Sequence, residues 1–249
     1  MKISATIIAR NEERNIARAI ESLRCCDEVV LVDSGSSDRT LEIAHKLNAR
    51  VIETEWRGYA GQKNFAAAQA AHDWILSIDA DEALSESLEA DLWLLKKNGP
   101  RFDAYTMPRM AQYMGKWIQH SGWYPDRKVR LYHRDKATWV GDFVHESVKV
   151  TGSVGHLDSN LLHYTCDSFS EHLRTMDRYT TLAAEELVSR GKRVSMAKLL
   201  LDPAWTAFRT YFLQRGFLDG AEGVAIAYMA ALYTFLKYAK ARNMMPGRQ

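Results

Sequence analysis

The first hundred residues alternate between short apolar runs and stretches with helical spacing, and this alternation constrains the fold more than any other feature. The apolar runs, each short enough for one strand, cover residues 3–9, 28–32, 50–53 and 74–78. One helical stretch begins near Asn11, and three others cover residues 38–46, 60–71 and 85–97. Repetition of strand and helix predicts an α/β fold, in which a mostly parallel central sheet carries helices on both faces.

The pattern changes after Pro100. Residues 102–163 contain short β-like runs and many aromatic residues without a long helical period, which favours an antiparallel extension of the sheet. Helical spacing returns over residues 169–190, 195–214 and 222–242. We therefore predict an α/β domain over residues 1–165, made of halves 1–100 and 101–165, and a C-terminal helical extension over residues 166–249.

Composition excludes several functional classes. A net charge of only +2 gives no electrostatic basis for a nucleic-acid partner. The three cysteines, two of them adjacent, form neither a disulfide framework nor a metal-ligand spacing, and this favours the cytosol. The N-terminus does not have the pattern of a signal peptide. The longest charge-free run near the C-terminus, residues 223–236, is shorter than the about 18 apolar residues that a membrane span requires.

Acidic residues follow two of the predicted strands. Asp33 ends the second strand, and Asp79 ends the fourth, with Asp81 two positions later. Ligands of parallel α/β sheets bind beyond the carboxyl ends of the strands. Divalent cations that bind diphosphates prefer oxygen ligands, so Asp81 could hold Mg²⁺ or Mn²⁺ directly, and Asp79 could contact the metal through water or bind ribose hydroxyls. An Asp-X-Asp triplet is also common in solvated loops and helix caps, but its place in the β/α repeat favours the metal site.

Four segments, taken in order, resemble the inverting glycosyltransferases with the GT-A (nucleotide-diphospho-sugar transferase) fold. They are Ile7 to Glu13, Val30 to Thr40, Gly61 to Ala66 and Ser77 to Glu82. Two later segments, Tyr124 to Tyr132 and Val144 to Glu146, resemble a narrower group that includes bacterial lipopolysaccharide-core β-1,4-glucosyltransferases. The first segment departs from many relatives, because Ala9-Arg10-Asn11-Glu12 lacks their base-stacking tyrosine.

The resemblance implies a donor site that binds a UDP-sugar together with Mn²⁺ or Mg²⁺. Ala9 and Glu12 would border the base and ribose, and Asp33 would accept a hydrogen bond from the base. The remaining residues implied for the nucleotide-sugar site are Lys63, Asn64, Asp79 and Ala80. Asp81 and Asp79 would serve the metal. Because some relatives supply a late histidine, His163 is a further candidate ligand, although a lone histidine at a strand end is more often a packing residue.

An inverting transfer needs a general base that deprotonates the acceptor hydroxyl. Glu146 is the leading candidate and Asp126 the second, although Glu146 could instead be a strand-edge acid paired with Arg127 or Arg130. His145 could contact the acceptor or serve a structural role. Four central aromatic residues could stack on sugar rings or belong to the core: Trp117, Trp123, Tyr124 and Trp139.

Residues 204–242 combine many aromatic residues with cations, a mixture typical of helices at a membrane interface. They could also pack on the catalytic domain or form a dimer contact. We therefore expect an enzyme on the inner face of the cell membrane that moves a hexose to a lipid-linked glycan such as lipopolysaccharide core. The alternatives are a polyprenyl-phosphate sugar transferase and a non-catalytic nucleotide-binding relative. A nucleotidyltransferase is disfavoured, because the first strand is not followed by a Gly-rich basic loop.

Overall fold

The computed structural model describes residues 1–141, 146–166 and 168–245, which form two compact units. The first unit contains residues 1–110 and the described part of 126–163. The second contains residues 111–125 and the described residues from 164 onward.

The first unit begins with four parallel strands joined by helices. The elements are β1 (Ile3–Ala9), α1 (Ile16–Glu21), β2 (Glu28–Asp33), α2 (Thr40–Lys46), β3 (Arg50–Glu53), α3 (Tyr59–Gln69) and β4 (Trp74–Asp79). The strands lie side by side in the order β3-β2-β1-β4, and each neighbouring pair is parallel. The predicted α/β fold is confirmed.

Both faces of this parallel sheet are covered, which explains the nearly continuous apolar strands. On one face, Ile3 and Ile7 of β1 are fully buried in the main core cluster with Ile16 of α1. On the other face, Val30 and Val32 pack with Ala66 of α3. Burial of each such aliphatic side chain stabilises the folded protein by about 1.5–3 kcal/mol. Because successive side chains of a strand point to opposite faces of the sheet, the apolar residues at alternate positions determine which face each helix covers.

An antiparallel extension follows, as predicted. Its elements are β5 (Glu82–Leu84), α4 (Glu86–Asn98), β6 (Ala104–Tyr113), β7 (Lys116–Trp117), β8 (Asp126–His133), β9 (Ala137–Val140), β10 (Ser147–Val150), β11 (Val154–His156) and β12 (Leu161–Cys166). Strand β8 is antiparallel to both β4 and β6, and β12 is antiparallel to β5. The sheet order is β3-β2-β1-β4-β8-β6-β12-β5, with β7 and β11 beside β6. Two details were not predicted: β11 pairs parallel to β6, and β9 and β10 form a separate two-stranded sheet.

The second unit is mainly helical, and its helices lie close to the predicted ranges. They are α5 (Phe169–Ser189), α6 (Met196–Phe208), a π-helical turn (Arg209–Leu213), a 3-10 turn (Gly216–Asp219) and α7 (Gly220–Met244). Helix α7 packs on both others: the Tyr238 hydroxyl donates to Asp202 of α6 at 2.9 Å, and Lys240 pairs with Asp177 of α5 at 2.7 Å. Within the described ranges, no helix has both the length and the apolar character that crossing a membrane would require.

A buried carboxylate explains why residues 111–125 belong with these helices. Asp219 is 3% exposed and accepts hydrogen bonds from the backbone N–H groups of Gln119 and His120, both at 3.2 Å, and from the Ser121 hydroxyl at 2.7 Å. Its own carbonyl accepts from Lys116 Nζ at 2.6 Å. A buried carboxylate is stable only when its acceptor positions are filled, so Asp219 fixes the 116–121 segment to the start of α7.

Candidate active site

The carboxyl ends of β1, β2 and β4 meet at one edge of the sheet, as predicted. The strand register places Ala9 opposite Asp33 and Ile8 opposite Asp79. The two predicted acids therefore flank the end of the central strand β1. Ala9 and Ala80 are nearly buried at this edge, with 6% and 5% exposure.

The carboxylate of Asp33 is fully buried and holds the loop that follows β2. Its Oδ2 accepts from the backbone N–H groups of Gly35 and Ser36, both at 2.8 Å, and its Oδ1 accepts from the Ser36 hydroxyl. A carboxylate has about four acceptor positions, so three are already used within the loop. Contact between Asp33 and a nucleotide base stays a prediction, and it would use the remaining position.

Hydrogen bonds join the loop that follows β1 to this loop after β2. Asn11 adopts a left-handed backbone conformation with φ +58°, which asparagine tolerates better than most residues, and its Oδ1 accepts from Ser37 N at 2.7 Å. The backbone N–H of Glu12 donates to the Thr40 hydroxyl at 2.8 Å. Burial, and to a lesser extent the negative charge of Asp81, raises the pKa of Glu12, while a hydrogen bond from Asn15 opposes this rise. Glu12 therefore faces the same acidic edge as Asp81.

Both carboxylate oxygens of Asp79 are engaged by cations. Lys63 Nζ lies 2.8 Å from Oδ1, and Arg130 Nη2 lies 2.7 Å from Oδ2. Burial alone would raise the pKa of Asp79, but Arg130 and Lys63 outweigh it and hold that pKa far below its ordinary value. A carboxylate neutralised on both oxygens is a poor direct metal ligand, so the geometry favours the water-mediated or ribose role of Asp79 over direct coordination.

Arg130 continues this pairing into the interior. It lies 2.6 Å from Glu82, whose side chain is fully buried, and Glu82 also contacts Arg109 at 3.4 Å. Burial would lower the pKa of Arg130, but the negative charges of Asp79 and Glu82 raise it above its ordinary value. Arg109 in turn pairs with Asp126 at 2.7 Å. The charges alternate along one line, which we call the charge ladder: Glu146, Lys63, Asp79, Arg130, Glu82, Arg109 and Asp126.

Sequence reasoning missed the roles of Arg130, Glu82 and Arg109 in this ladder. The suggested pairing of Glu146 with Arg127 or Arg130 is wrong, because Arg127 pairs with Asp158 at 2.7 Å and Arg130 with Asp79 and Glu82. The deciding feature is the antiparallel pairing of β8 with β4, which places Leu131 opposite Leu76. That register follows from tertiary packing rather than from any local motif.

Asp81 and His163 form a separate pair. Asp81 Oδ2 lies 3.2 Å from His163 Nε2, and their side chains are 33% and 17% exposed. The register of β12 against β5, which places His163 opposite Glu82, brings the histidine to this position. One carboxylate oxygen and one imidazole nitrogen at this separation fit a divalent cation whose ligands lie about 2 Å away. In residues 1–141, 146–166 and 168–245, no group of three acidic, His or Cys side chains is placed to hold a metal ion.

The two candidate bases lie at opposite ends of the charge ladder. Glu146 Oε1 lies 3.2 Å from Lys63 Nζ, and its side chain is 20% exposed. Asp126 contacts Arg109 at 2.7 Å and Lys128 at 3.0 Å. Burial would raise the pKa of Asp126, but these cations outweigh it and lower that pKa, which makes Asp126 a weaker base than an unpaired aspartate. His145 lies outside the described residues.

Comparison with known proteins identifies the family. Residues 4–146 match the sequence model of glycosyl transferase family 2. The chain belongs to this family. It is 33% identical over 255 residues to an uncharacterized glycosyltransferase of Rickettsia prowazekii (strain Madrid E), and the aligned region covers 98% of this chain and 87% of that protein. It is 34% identical over 247 residues to the lipopolysaccharide core biosynthesis glycosyltransferase LpsC of Rhizobium meliloti (strain 1021), which covers 96% of this chain and 92% of LpsC.

A solved structure shares the fold. The crystal structure of Staphylococcus aureus TarS superposes with a TM-score of 0.50 at 17% identity, over 89% of this chain and 46% of that chain. The family 2 glycosyltransferase described here thus spans about half the length of TarS, and the likeness shows the GT-A fold.

In this glycosyltransferase, Asn64 and Trp139 hold α3 to β9. The Asn64 amide accepts from Trp139 N and donates to Trp139 O, both at 2.9 Å. Trp139 is 5% exposed, donates its indole N–H to the Tyr132 hydroxyl at 3.0 Å, and has Lys63 Nζ 4.3 Å from its ring centroid. Its ring therefore packs over a cation of the ladder and presents no open face to a sugar. The Asn64 amide is likewise engaged, so its contact with the donor stays a prediction.

The other central aromatic residues belong to the second unit. Trp117 packs edge-on against Tyr164 with ring centroids 5.3 Å apart, and Trp123 packs against Tyr113 at 5.5 Å. These contacts support core packing for both indoles. Stacking of an acceptor sugar on them stays a prediction.

Proposed function

We propose that this protein transfers a hexose, with glucose as the leading candidate, from a UDP-sugar to a hydroxyl of a lipid-linked glycan, with inversion at the anomeric carbon. The observation that carries the proposal is the pair Asp81 and His163 beside the charge ladder, at the carboxyl ends of the parallel strands. Membership of glycosyl transferase family 2 supports transfer from an activated sugar. The name of the relative LpsC supports lipopolysaccharide core as the acceptor class.

Asp81 and His163 would hold Mn²⁺ or Mg²⁺, which when bound neutralises the charge of the diphosphate leaving group. Lys63 is a buried cation that lies 2.8 Å from Asp79, and its side chain is only 2% exposed. Held between Asp79 and Glu146, Lys63 needs little reorganisation to stabilise negative charge that develops on the leaving oxygen. Glu12 and Asp33 would contact the ribose and base, and the small side chains of the two alanines, Ala9 and Ala80, would leave room for them.

Glu146 is the proposed general base. The acceptor hydroxyl oxygen forms a bond to the anomeric carbon while the bond from that carbon to the diphosphate oxygen breaks, and the hydroxyl proton passes to the Glu146 carboxylate. Lys63, 3.2 Å away, orients this carboxylate. Its cation-filled surroundings make Asp126 the weaker alternative.

The acceptor and the location form one hypothesis. A lipid-linked glycan is confined to a membrane surface, so we propose that the enzyme acts in the cytoplasm at the inner face of the cell membrane. A polyprenyl phosphate acceptor would use the same donor site, and assays with both acceptors distinguish the two. A non-catalytic relative would bind the nucleotide sugar without turnover.

The first experiment is a thermal-shift screen of nucleotide sugars with and without Mn²⁺. A ligand that binds only the folded protein raises its melting temperature by mass action, so the screen reports base, sugar and metal together. We expect UDP-hexoses to stabilise the protein only when Mn²⁺ or Mg²⁺ is present. Equal stabilisation without a metal would overturn the metal-dependent donor site.

A variant pair tests the metal ligand. Asp81→Asn should abolish transfer and the Mn²⁺-dependent thermal shift while leaving the fold intact, because Asp81 is partly exposed and its partner, His163, is 3.2 Å away. The matched control is Asp158→Asn, which removes an acid that is 89% exposed and paired with Arg127. Normal transfer in Asp81→Asn would refute the assignment.

A further inference from the structure

Large apolar side chains are exposed on one face of α6, where the described part of the chain leaves them uncovered. Six residues, which we call the α6 surface, are between 46% and 66% exposed: Met196, Leu200, Leu201, Trp205 and Phe208 of α6, and Phe212 of the π-helical turn that follows it. Apart from the adjacent pair Leu200 and Leu201, successive members are three or four positions apart, which places them along one side of the helix and of the turn that continues it. The rings of Trp205 and Phe208 stack with centroids 5.7 Å apart, and Phe208 and Phe212 follow at 5.1 Å. The surface is therefore an ordered aromatic row flanked by aliphatic residues.

The opposite side of α6 is the one that packs. The hydroxyls of Thr206 and Thr234 lie 3.4 Å apart, and Asp202 accepts from Tyr238 of α7 at 2.9 Å. These contacts use the polar residues of α6 inside the second unit and leave its apolar side outward. A monomeric globular protein normally arranges the two sides in the reverse order.

The exposed area is large for a free protein surface. An aromatic side chain presents about 150–250 Å². Exposures of 56%, 46% and 54% at Trp205, Phe208 and Phe212 therefore leave roughly 230–390 Å² of aromatic area, before Leu200 and Leu201 are added. The largest apolar patch on a typical monomer is about 300–600 Å² and is often an interaction site.

The exposed charged side chains of residues 190–219, the stretch that carries this surface, are all cationic. Lys198, Arg209 and Arg215 are all exposed. In the described stretch from residue 190 to 219, the acidic residues are Asp202, which is half-buried and bonded to Tyr238, and Asp219, which is buried. An approaching partner would meet an apolar strip bordered by cations.

We propose that the α6 surface binds a lipid bilayer containing anionic headgroups, with α6 lying in the plane of the interface. The apolar row would enter the boundary between headgroups and acyl chains, where aromatic side chains are favoured, and Lys198 and Arg209 would contact lipid phosphates. A two-fold contact between copies of this surface fits less well, because it would bring the same cations of both copies together, and residues 190–219 offer no exposed acid to pair with them. The inference rests on the proposed function only for its purpose, which is to place the enzyme on the surface that carries its acceptor.

The test is flotation of the full-length protein with two kinds of vesicle, phosphatidylcholine alone and phosphatidylcholine with about equal phosphatidylglycerol. We expect the wild type to float with the anionic vesicles at low salt and far less with the neutral ones. The combined variant Trp205→Gln, Phe208→Gln and Phe212→Gln should reduce the bound fraction at least about tenfold, because the apolar contact is lost. Lys198→Gln with Arg209→Gln should weaken anionic binding by roughly thirtyfold and reduce its salt dependence.

The matched control lies in the first unit. Trp93 and Leu94 of α4 are 50% and 58% exposed, so the variant Trp93→Gln with Leu94→Gln removes comparable apolar area elsewhere and should float like the wild type. Trp205→Phe guards against misfolding of the Gln variants, because it keeps the surface apolar. In vesicles with brominated acyl chains, wild-type tryptophan fluorescence should be quenched and the quenching should be largely lost in Trp205→Phe.

Three results would overturn the proposal: a wild type that stays unbound with anionic vesicles, equal loss of binding in the control variant, or unchanged quenching in Trp205→Phe. A dimer in sedimentation velocity that the triple Gln variant dissociates, without vesicle binding, would instead assign the surface to a second copy. Transfer to a lipid-free acceptor glycan is measured in parallel. A wild type that floats with anionic vesicles but transfers no sugar would count against the proposed function alone. A wild type that transfers sugar but does not float would count against the α6 surface alone.

Discussion

Replacing Arg130 by methionine should be among the most destabilising single changes in the first unit. The Arg130 side chain is 4% exposed and pairs with Asp79 at 2.7 Å and with the fully buried Glu82 at 2.6 Å. After the change, the cation left beside Glu82 would be Arg109, at the longer distance of 3.4 Å. Methionine fills the volume of the stem but cannot neutralise a buried carboxylate.

The expected loss of unfolding free energy is about 3–5 kcal/mol, the usual effect of breaking a buried ion pair by removing one partner. The matched control is Arg127→Met on the same strand, β8. Arg127 pairs with Asp158 at a similar 2.7 Å, but the two side chains are 38% and 89% exposed. A surface pair of this kind contributes about 0–1 kcal/mol, so distance is matched and burial differs.

Urea unfolding followed by tryptophan fluorescence measures both variants, and the midpoint and slope give the free energy. A third variant, Arg130→Met with Glu82→Gln, should recover part of the loss, because the buried charge that the single change leaves uncompensated is removed as well. If Arg130→Met unfolds within about 1 kcal/mol of Arg127→Met, burial does not govern the ladder and the reasoning fails. A double variant less stable than the single one would contradict it too.

Three further outcomes are expected. His163→Ala should raise the Mn²⁺ concentration needed for half-maximal transfer at least about tenfold with activity restored at high Mn²⁺, and an unchanged metal dependence would remove His163 from the site. Glu146→Gln should lower kcat about 10²–10⁴-fold with little change in donor KM, whereas Asp126→Asn should keep most activity; the opposite pattern would move the base to Asp126. The pKa of Asp79 is lowered in the folded state, so its stabilisation is present above its unfolded pKa of about 3.9 and is lost as pH falls through the folded pKa. Urea midpoints should therefore fall more steeply with acidification below about pH 5 in the wild type than in Asp79→Asn, and equal slopes would contradict the depressed pKa.

The parallel half of the fold was predictable because its signals are local. A strand buried on both faces must be apolar along its length, and β1, β2 and β4 show this directly in sequence. The acids Asp33 and Asp79 stand out because each ends such an apolar run with a charged residue. The positions of these two acids at one edge then follow from parallel pairing alone.

The partners of the site residues were not predictable, because each is set by long-range packing. Asn64 lies in a segment typical of donor binding, yet its amide bonds the backbone of Trp139, 75 positions away. Asp219 looks like one acid in a basic helical tail, yet it is buried and bound to Ser121, 98 positions earlier. The hydrophobic period and the turn residues can be read from a single sequence. The register of β8 and the burial of a particular carboxylate cannot, because both depend on packing between distant segments.

The spacing of Asp79 and Asp81 shows how this limit affects function. In sequence the two acids are the same residue type and stand on either side of Ala80. In the structure they differ by their neighbours: α3 and β8 bring Lys63 and Arg130 to Asp79, and β12 brings His163 to Asp81. Two cations neutralise Asp79, while an imidazole, which can itself be a metal ligand, faces Asp81. Asp79→Asn should therefore act mainly on stability and on the position of Lys63, and Asp81→Asn mainly on metal binding, because the same chemical group has been placed in opposite electrostatic surroundings.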